Sequence, residues 1–138
     1  MSYGTRSSMM SSYQTVVTHG GVAASDPHQL IVMLMDGVLE RLAQARGSAE
    51  RGALAERGQH LHRAVSIIDE LRNSLDLSQG DIATNLDGLY EYMCRQLLSV
   101  GPGNAVQTID AVAGLMREIR AAWLALPQAV RSTPRSGP

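Results

Sequence analysis

The chain has 138 residues, a formal net charge of −1 and 18% charged side chains. A single domain of this size hides roughly two-thirds of the surface its unfolded chain would expose, so a real core is expected. So even a charge balance excludes a protein built to neutralise nucleic-acid phosphates, and no Lys/Arg cluster marks a membrane patch.

Residues 1–25 are rich in Ser, Gly and Thr, which predicts a mobile N-terminal segment. Within it "MMSSYQTVVTHGG" places Met10, Tyr13, Val16 and Val17 at helical spacing, enough for a short helix with one small apolar face. Gly20 and Gly21 end it. The next boundary is sharp. Asp26 is a good N-cap, Pro27 suits the first helical position, and Gln29 completes a capping box. Leu30, Ile31, Leu34, Val38, Leu42 and Ala45 then recur with a period of about 3.6, carrying a helix to Arg46 before Gly47. Met33, Met35 and Leu39 lie beside that stripe. "GSAERGALAERG" reads as a loop or a poorly formed helix opening.

The second helix shows Leu61, Ala64, Val65, Ile68, Leu71 and Leu75 as its stripe, with Asp69, Glu70 and Arg72 outside. "DLSQGD" is a turn, with Ser78 as a candidate N-cap and Asp81 near the positive helix end. The third stripe is Ile82, Leu86, Leu89, Tyr90, Met93 and Leu97. "GPGN" stops it, and Asn104 with Gln107 repeats the capping-box pattern. Ile109, Val112, Ala113, Met116, Ile119, Trp123 and Leu126 make the fourth stripe, with Trp123 closing one end. Residues 127–138 are expected to be disordered. No strand alternation appears. The predicted fold is all-α: an antiparallel up-down four-helix bundle over residues 26–126, with the N-terminal segment packing on it.

No catalytic, metal or cofactor site is expected. A di-iron bundle needs Glu-x-x-His pairs, and none is present. His60 and His62 are two residues apart and point in different directions on a helix. Cys94 is the lone cysteine, so no disulfide or paired-Cys metal site exists. It reads as a small buried hydrophobe. The glycines near "GPGN" lack the Lys-Ser/Thr of a phosphate loop. No apolar run of about 18 residues would span a bilayer. No compact apolar leader segment opens the chain. The expectation is a cytoplasmic protein without membrane insertion.

"NLDGLYEYMCRQLLS", Asn85 to Ser99, raises a different possibility. At about 100° per residue, Leu89, Tyr90, Met93 and Leu97 lie within about 60° of Leu86. Tyr92 lies roughly 120° to one side, and Cys94 and Leu98 roughly 80° and 120° to the other. A surface helix needs an apolar arc of only about 100°. The surplus means either an unusually enclosed helix or a groove for another polypeptide.

These stretches resemble the bacterial flagellar export chaperone family FliS. The resemblance rests on "YQ" with the valines at Tyr13 to Val17, "DPHQLIVMLMDGVLERLAQA", "AVSIIDELRNSLD", "IATNLDGLYEYMCRQL" and "REIRAAW". Met35 stands where the family usually has an aromatic residue. The resemblance implies a cytoplasmic bundle that binds the C-terminal segment of flagellin, prevents its premature polymerisation and assists type III export. It also implies contact with export-gate components, and an N-terminal segment that covers part of the client surface. Candidate partner-binding residues are Leu30, Met33, Leu34, Asn85, Leu86, Leu89, Tyr90, Tyr92 and Met93. Tyr13, Val16 and Val17 are candidates for a gating segment. The competing reading is a self-assembling structural bundle whose surplus surface is a homo-oligomer seam.

Overall fold

The computed structural model describes residues 26–126. The expected mobile segment over 1–25 and the expected disordered tail over 127–138 lie outside the described residues. Four helices follow in order: α1 Pro27–Glu50, α2 Leu54–Asn73, α3 Asp81–Leu98 and α4 Ala105–Ala125. A short 3-10 turn, Leu77–Gln79, precedes α3. The described residues contain no strand. α1 packs on α2, α2 on α3, α3 on α4, and α4 returns to α1. Chain neighbours are therefore neighbours in space, and the helices close into the predicted four-helix ring. The α1–α2 seam is the most extensive of the four and the α3–α4 seam the thinnest.

α1 begins as its sequence dictates. Asp26 Oδ1 accepts the amides of His28 at 3.1 Å and Gln29 at 3.3 Å, with Pro27 in the first turn. Two amides that the helix leaves unpaired are thereby satisfied. Its end differs from expectation. α1 runs through Gly47 to Glu50, and "GSAERG" is mostly helix. The cause is Ser48, which is fully buried and donates its hydroxyl to Glu56 Oε1 at 2.8 Å. Arg51 bonds the same carboxylate. Together these draw the Glu56 carboxyl below its usual range, the Ser48 hydrogen bond contributing most. An internal glycine costs a helix about 1 kcal/mol, and this anchored extra turn outweighs it. The reversal falls at Gly52, whose φ of +71° suits a residue without a Cβ.

α2 buries Leu61, Ala64, Ile68 and Leu71 as expected, and also Ile67 and Glu70. Glu70 was expected on the outer face. α2 is clasped between α1 and α3, and its long seam with α1 widens the buried arc to include these two positions. Ser78 does not cap α3. Asp76 caps the 3-10 turn instead, accepting from the Ser78 amide at 3.1 Å and its hydroxyl at 2.6 Å. Gly80, at φ 102° and ψ −157°, then admits the chain to α3 through backbone geometry that is essentially glycine's own. The capping box at α4 is also replaced. Asn104 Oδ1 accepts the Gly101 amide at 2.8 Å, closing the "GPGN" loop rather than the helix.

The core is continuous across all four helices, with Leu34, Val38, Leu71, Tyr90, Met93, Ile109 and Met116 among its enclosed side chains. Met35 is only 1% exposed, so most of the surplus expected on α1 is consumed inside. Ion pairs latch two of the four seams. Arg46 grips Asp110 through two bonds of 2.7 and 3.1 Å, and Arg120 meets Asp36 at 2.6 Å, both between α1 and α4. Arg72 joins Asp87 at 3.0 Å across α2 and α3. Such half-exposed pairs contribute at most about 1 kcal/mol each, but they fix which flank of each helix faces which neighbour. Among the described residues no ion pair crosses the α3–α4 seam. At one end, Trp123 stacks on His28 with ring centroids 5.3 Å apart and planes at 16°. Its indole N–H points to the His28 carbonyl at 3.4 Å. The start of α1 and the end of α4 are thereby joined.

Candidate functional site

α3 is rotated relative to the stripe predicted for it. Its buried residues are Ala83, Tyr90, Met93, Cys94 and Leu97, with Leu86 half-buried. Ile82 and Leu89, both assigned to the core stripe, are 73% and 38% exposed. The physical reason is size. Ala83 and Cys94 are small, so this side of α3 can sit close to α2, and the Arg72–Asp87 pair holds it there. The rotation brings Ala83 and Cys94 inward beside Tyr90, Met93 and Leu97 and carries Ile82 and Leu89 outward.

The result is a second line along α3. Ile82, Asn85, Leu89, Tyr92 and Gln96 follow one another at spacings of three and four, so they share one flank. Tyr92 is 46% exposed and Asn85 is exposed. No charged residue belongs to this line over its 15 positions, Ile82 to Gln96, a run of about 21 Å. Asp87 marks the flank that faces α2, so the uncharged line lies on the opposite side, toward α4. α4 sends Asp110 and Arg120 to α1. Its other flank carries Thr108, Ala111, Leu115 and Ala122, with Glu118 at the outer margin. The thin, unlatched α3–α4 seam is thus edged by apolar and neutral side chains on both helices. Leu98, 63% exposed, lies on the other side of α3.

The structure distributes the sequence candidates unevenly. Asn85, Leu89 and Tyr92 come together on the exposed line, with Leu86 at its inner margin. Leu34, Tyr90 and Met93 are interior side chains. Leu30 and Met33 are half-buried on the side of α1 toward α2, and α1 is diagonal to α3 in the ring. They share no surface with the α3 line. Ile82 and Gln96 belong to the line and were not picked from sequence. The signal that reveals them is the small-residue face of Ala83 and Cys94, which displaces the large residues outward. Tyr13, Val16 and Val17 lie outside the described residues.

Among the described residues, no group of three or more His, Cys, Asp or Glu side chains is placed to hold a metal ion. No helix there is long and apolar enough to cross a membrane. Burial pushes the Cys94 thiol up to about 11, with Asp69 adding to the effect, and burial alone pushes the Tyr90 hydroxyl up to about 12. At neutral pH the Cys94 thiolate is therefore scarce. Both groups keep their protons in the folded chain at a pH where the unfolded chain releases them. Their contribution to stability is complete below pH 9 and is lost as pH rises toward about 11 and 12. Urea denaturation at pH 7 and pH 10.5 should show a lower midpoint at the higher pH. Thiol labelling at pH 7 should proceed only as fast as the chain opens.

An all-α bundle with a long uncharged, partly exposed flank has the kind of surface on which another polypeptide can pack. Comparison with known proteins gives the particular family. Residues 9–130 match the family model described as flagellar protein FliS. The chain is 43% identical over 115 residues to the flagellar secretion chaperone FliSB of Pseudomonas aeruginosa, covering 83% of this chain and 91% of the relative. It is 42% identical over 113 residues to FliS of Salmonella typhimurium, covering 80% and 84%. FliS of Vibrio cholerae is 36% identical over 119 residues, covering 86% and 88%. The chain belongs to the FliS family of flagellar secretion chaperones, which are not enzymes.

Proposed function

We propose that this protein binds the C-terminal segment of flagellin in the cytoplasm, keeps it from polymerising early and delivers it to the type III flagellar export gate. The observation that carries the reading is the uncharged line from Ile82 to Gln96 beside the thinnest seam of the bundle. A disordered segment that folds on binding must offset an ordering cost of about 2–5 kcal/mol or more, so it needs a long apolar track. The α3 flank supplies one. Exposed tyrosine and large aliphatic residues in such a track are typical of contacts that carry binding energy. Leu30 and Met33, on the opposite side of the ring, serve a client that wraps around the bundle.

The segment bearing Tyr13, Val16 and Val17 belongs to the same proposal as a competitor for this flank. Its support is sequence pattern together with position. α1 begins at the end of the bundle where α3 also begins. Titration of a synthetic flagellin C-terminal peptide into the protein by calorimetry should give a one-to-one complex with a negative heat-capacity change. No heat at high micromolar concentration would sink the reading. A tight dimer of the lone protein in light scattering, with Tyr92 protected, would favour self-association instead.

A further inference from the structure

Two members of the exposed line are out of place in a purely apolar track. Asn85 is exposed and Gln96 half-exposed. They lie eleven positions apart, about 16 Å or three helical turns, and fall within about 20° of each other around α3. Leu89 and Tyr92 sit between them. Neither amide side chain hydrogen-bonds within the described protein, whereas the neighbouring polar side chains of Asp87, Thr84 and Ser99 do. Each is a donor and an acceptor held ready on a rigid helix.

We propose that Asn85 and Gln96 set the register of the bound client. This rests on the flagellin reading above and adds how the flank chooses its partner. The line follows one helix at three- and four-residue spacing, which suits a client stretch that is itself helical and lies along the seam. When such a stretch covers the flank, both amides leave water. A client with polar groups three turns apart satisfies them; a client that is leucine-faced throughout, or shifted by a turn, strands them. Stranding a buried amide is penalised far more than pairing it is rewarded. One buried asparagine fixes register in coiled coils by the same physics. The apolar residues thus supply adhesion, and the two amides supply selection.

The test compares two fluorescent peptides of equal length by anisotropy: the flagellin C-terminal segment and an idealised amphipathic helix with an all-leucine face. The full chain is used as wild type and as Asn85→Leu/Gln96→Leu. Leucine is a good helix former at exposed helical positions, and circular dichroism verifies the fold. Wild type should prefer the flagellin peptide by about tenfold or more, the size of one unmet amide. The double variant should lose that preference, chiefly by gaining affinity for the leucine-faced peptide. A double variant that discriminates as well as wild type overturns the register role while leaving flagellin binding intact. Wild type that binds neither peptide overturns the flagellin reading itself, and the register role with it.

Discussion

Tyr92→Ala should weaken binding of the flagellin C-terminal peptide by about thirtyfold while leaving the melting temperature within about 3 °C of wild type. The two expectations have separate origins. Tyr92 is 46% exposed and lies on the uncharged flank of α3, outside the enclosed core. Truncating a surface side chain usually changes stability by no more than about 0.5 kcal/mol. Truncating an aromatic anchor at the centre of an interface costs about 2 kcal/mol or more, equivalent to the thirtyfold loss. Calorimetric titration reads the first quantity and a thermal melt the second. A large fall in melting temperature with unchanged affinity would mean that Tyr92 supports the bundle rather than the client.

The second large effect lies one position along the same helix. Met93→Ala should destabilise the fold by about 2–5 kcal/mol, lowering the melting temperature by roughly 10 °C or more. Met93 is fully buried, and its removal leaves a cavity that its neighbours fill only partly. Ile82→Ala, with its side chain 73% exposed, should change stability by less than about 1 kcal/mol. Simple counting of apolar residues puts both positions on one stripe, so the pair measures the rotation of α3 directly. Equal losses of melting temperature for the two variants would show that α3 sits in the register read from its sequence.

That contrast marks where the sequence was legible. Long periodic runs of large aliphatic residues predicted four helices and their order, because burial of such side chains dominates the choice of helix face. Asp26 and Pro27 marked a true start, since the cap is a local device needing nothing from the rest of the fold. Ends set by tertiary contacts were harder. Gly47 looked like a stop, yet the distant Glu56 holds the next turn through Ser48. Asn104 looked like a cap and instead ties a loop. The candidate flank was half visible. Tyr92 and Leu89 were identified as candidates, but Ile82 was assigned to the core because nothing in its own turn shows that Ala83 has taken the inward place. Leu30 and Met33 were read with the residues of α3, and only the ring order of helices shows that α1 and α3 stand diagonally apart.

The clasp between His28 and Trp123 gives the molecule a polarity useful at the bench. Residues 1–25 and 127–138 join the bundle at one pole, and the loops at Gly52 and Gly103 occupy the other, about 30 Å away along α4. A resin, tag or dye attached through either terminus therefore anchors the same pole. The seam between α3 and α4 runs from that pole to the opposite one.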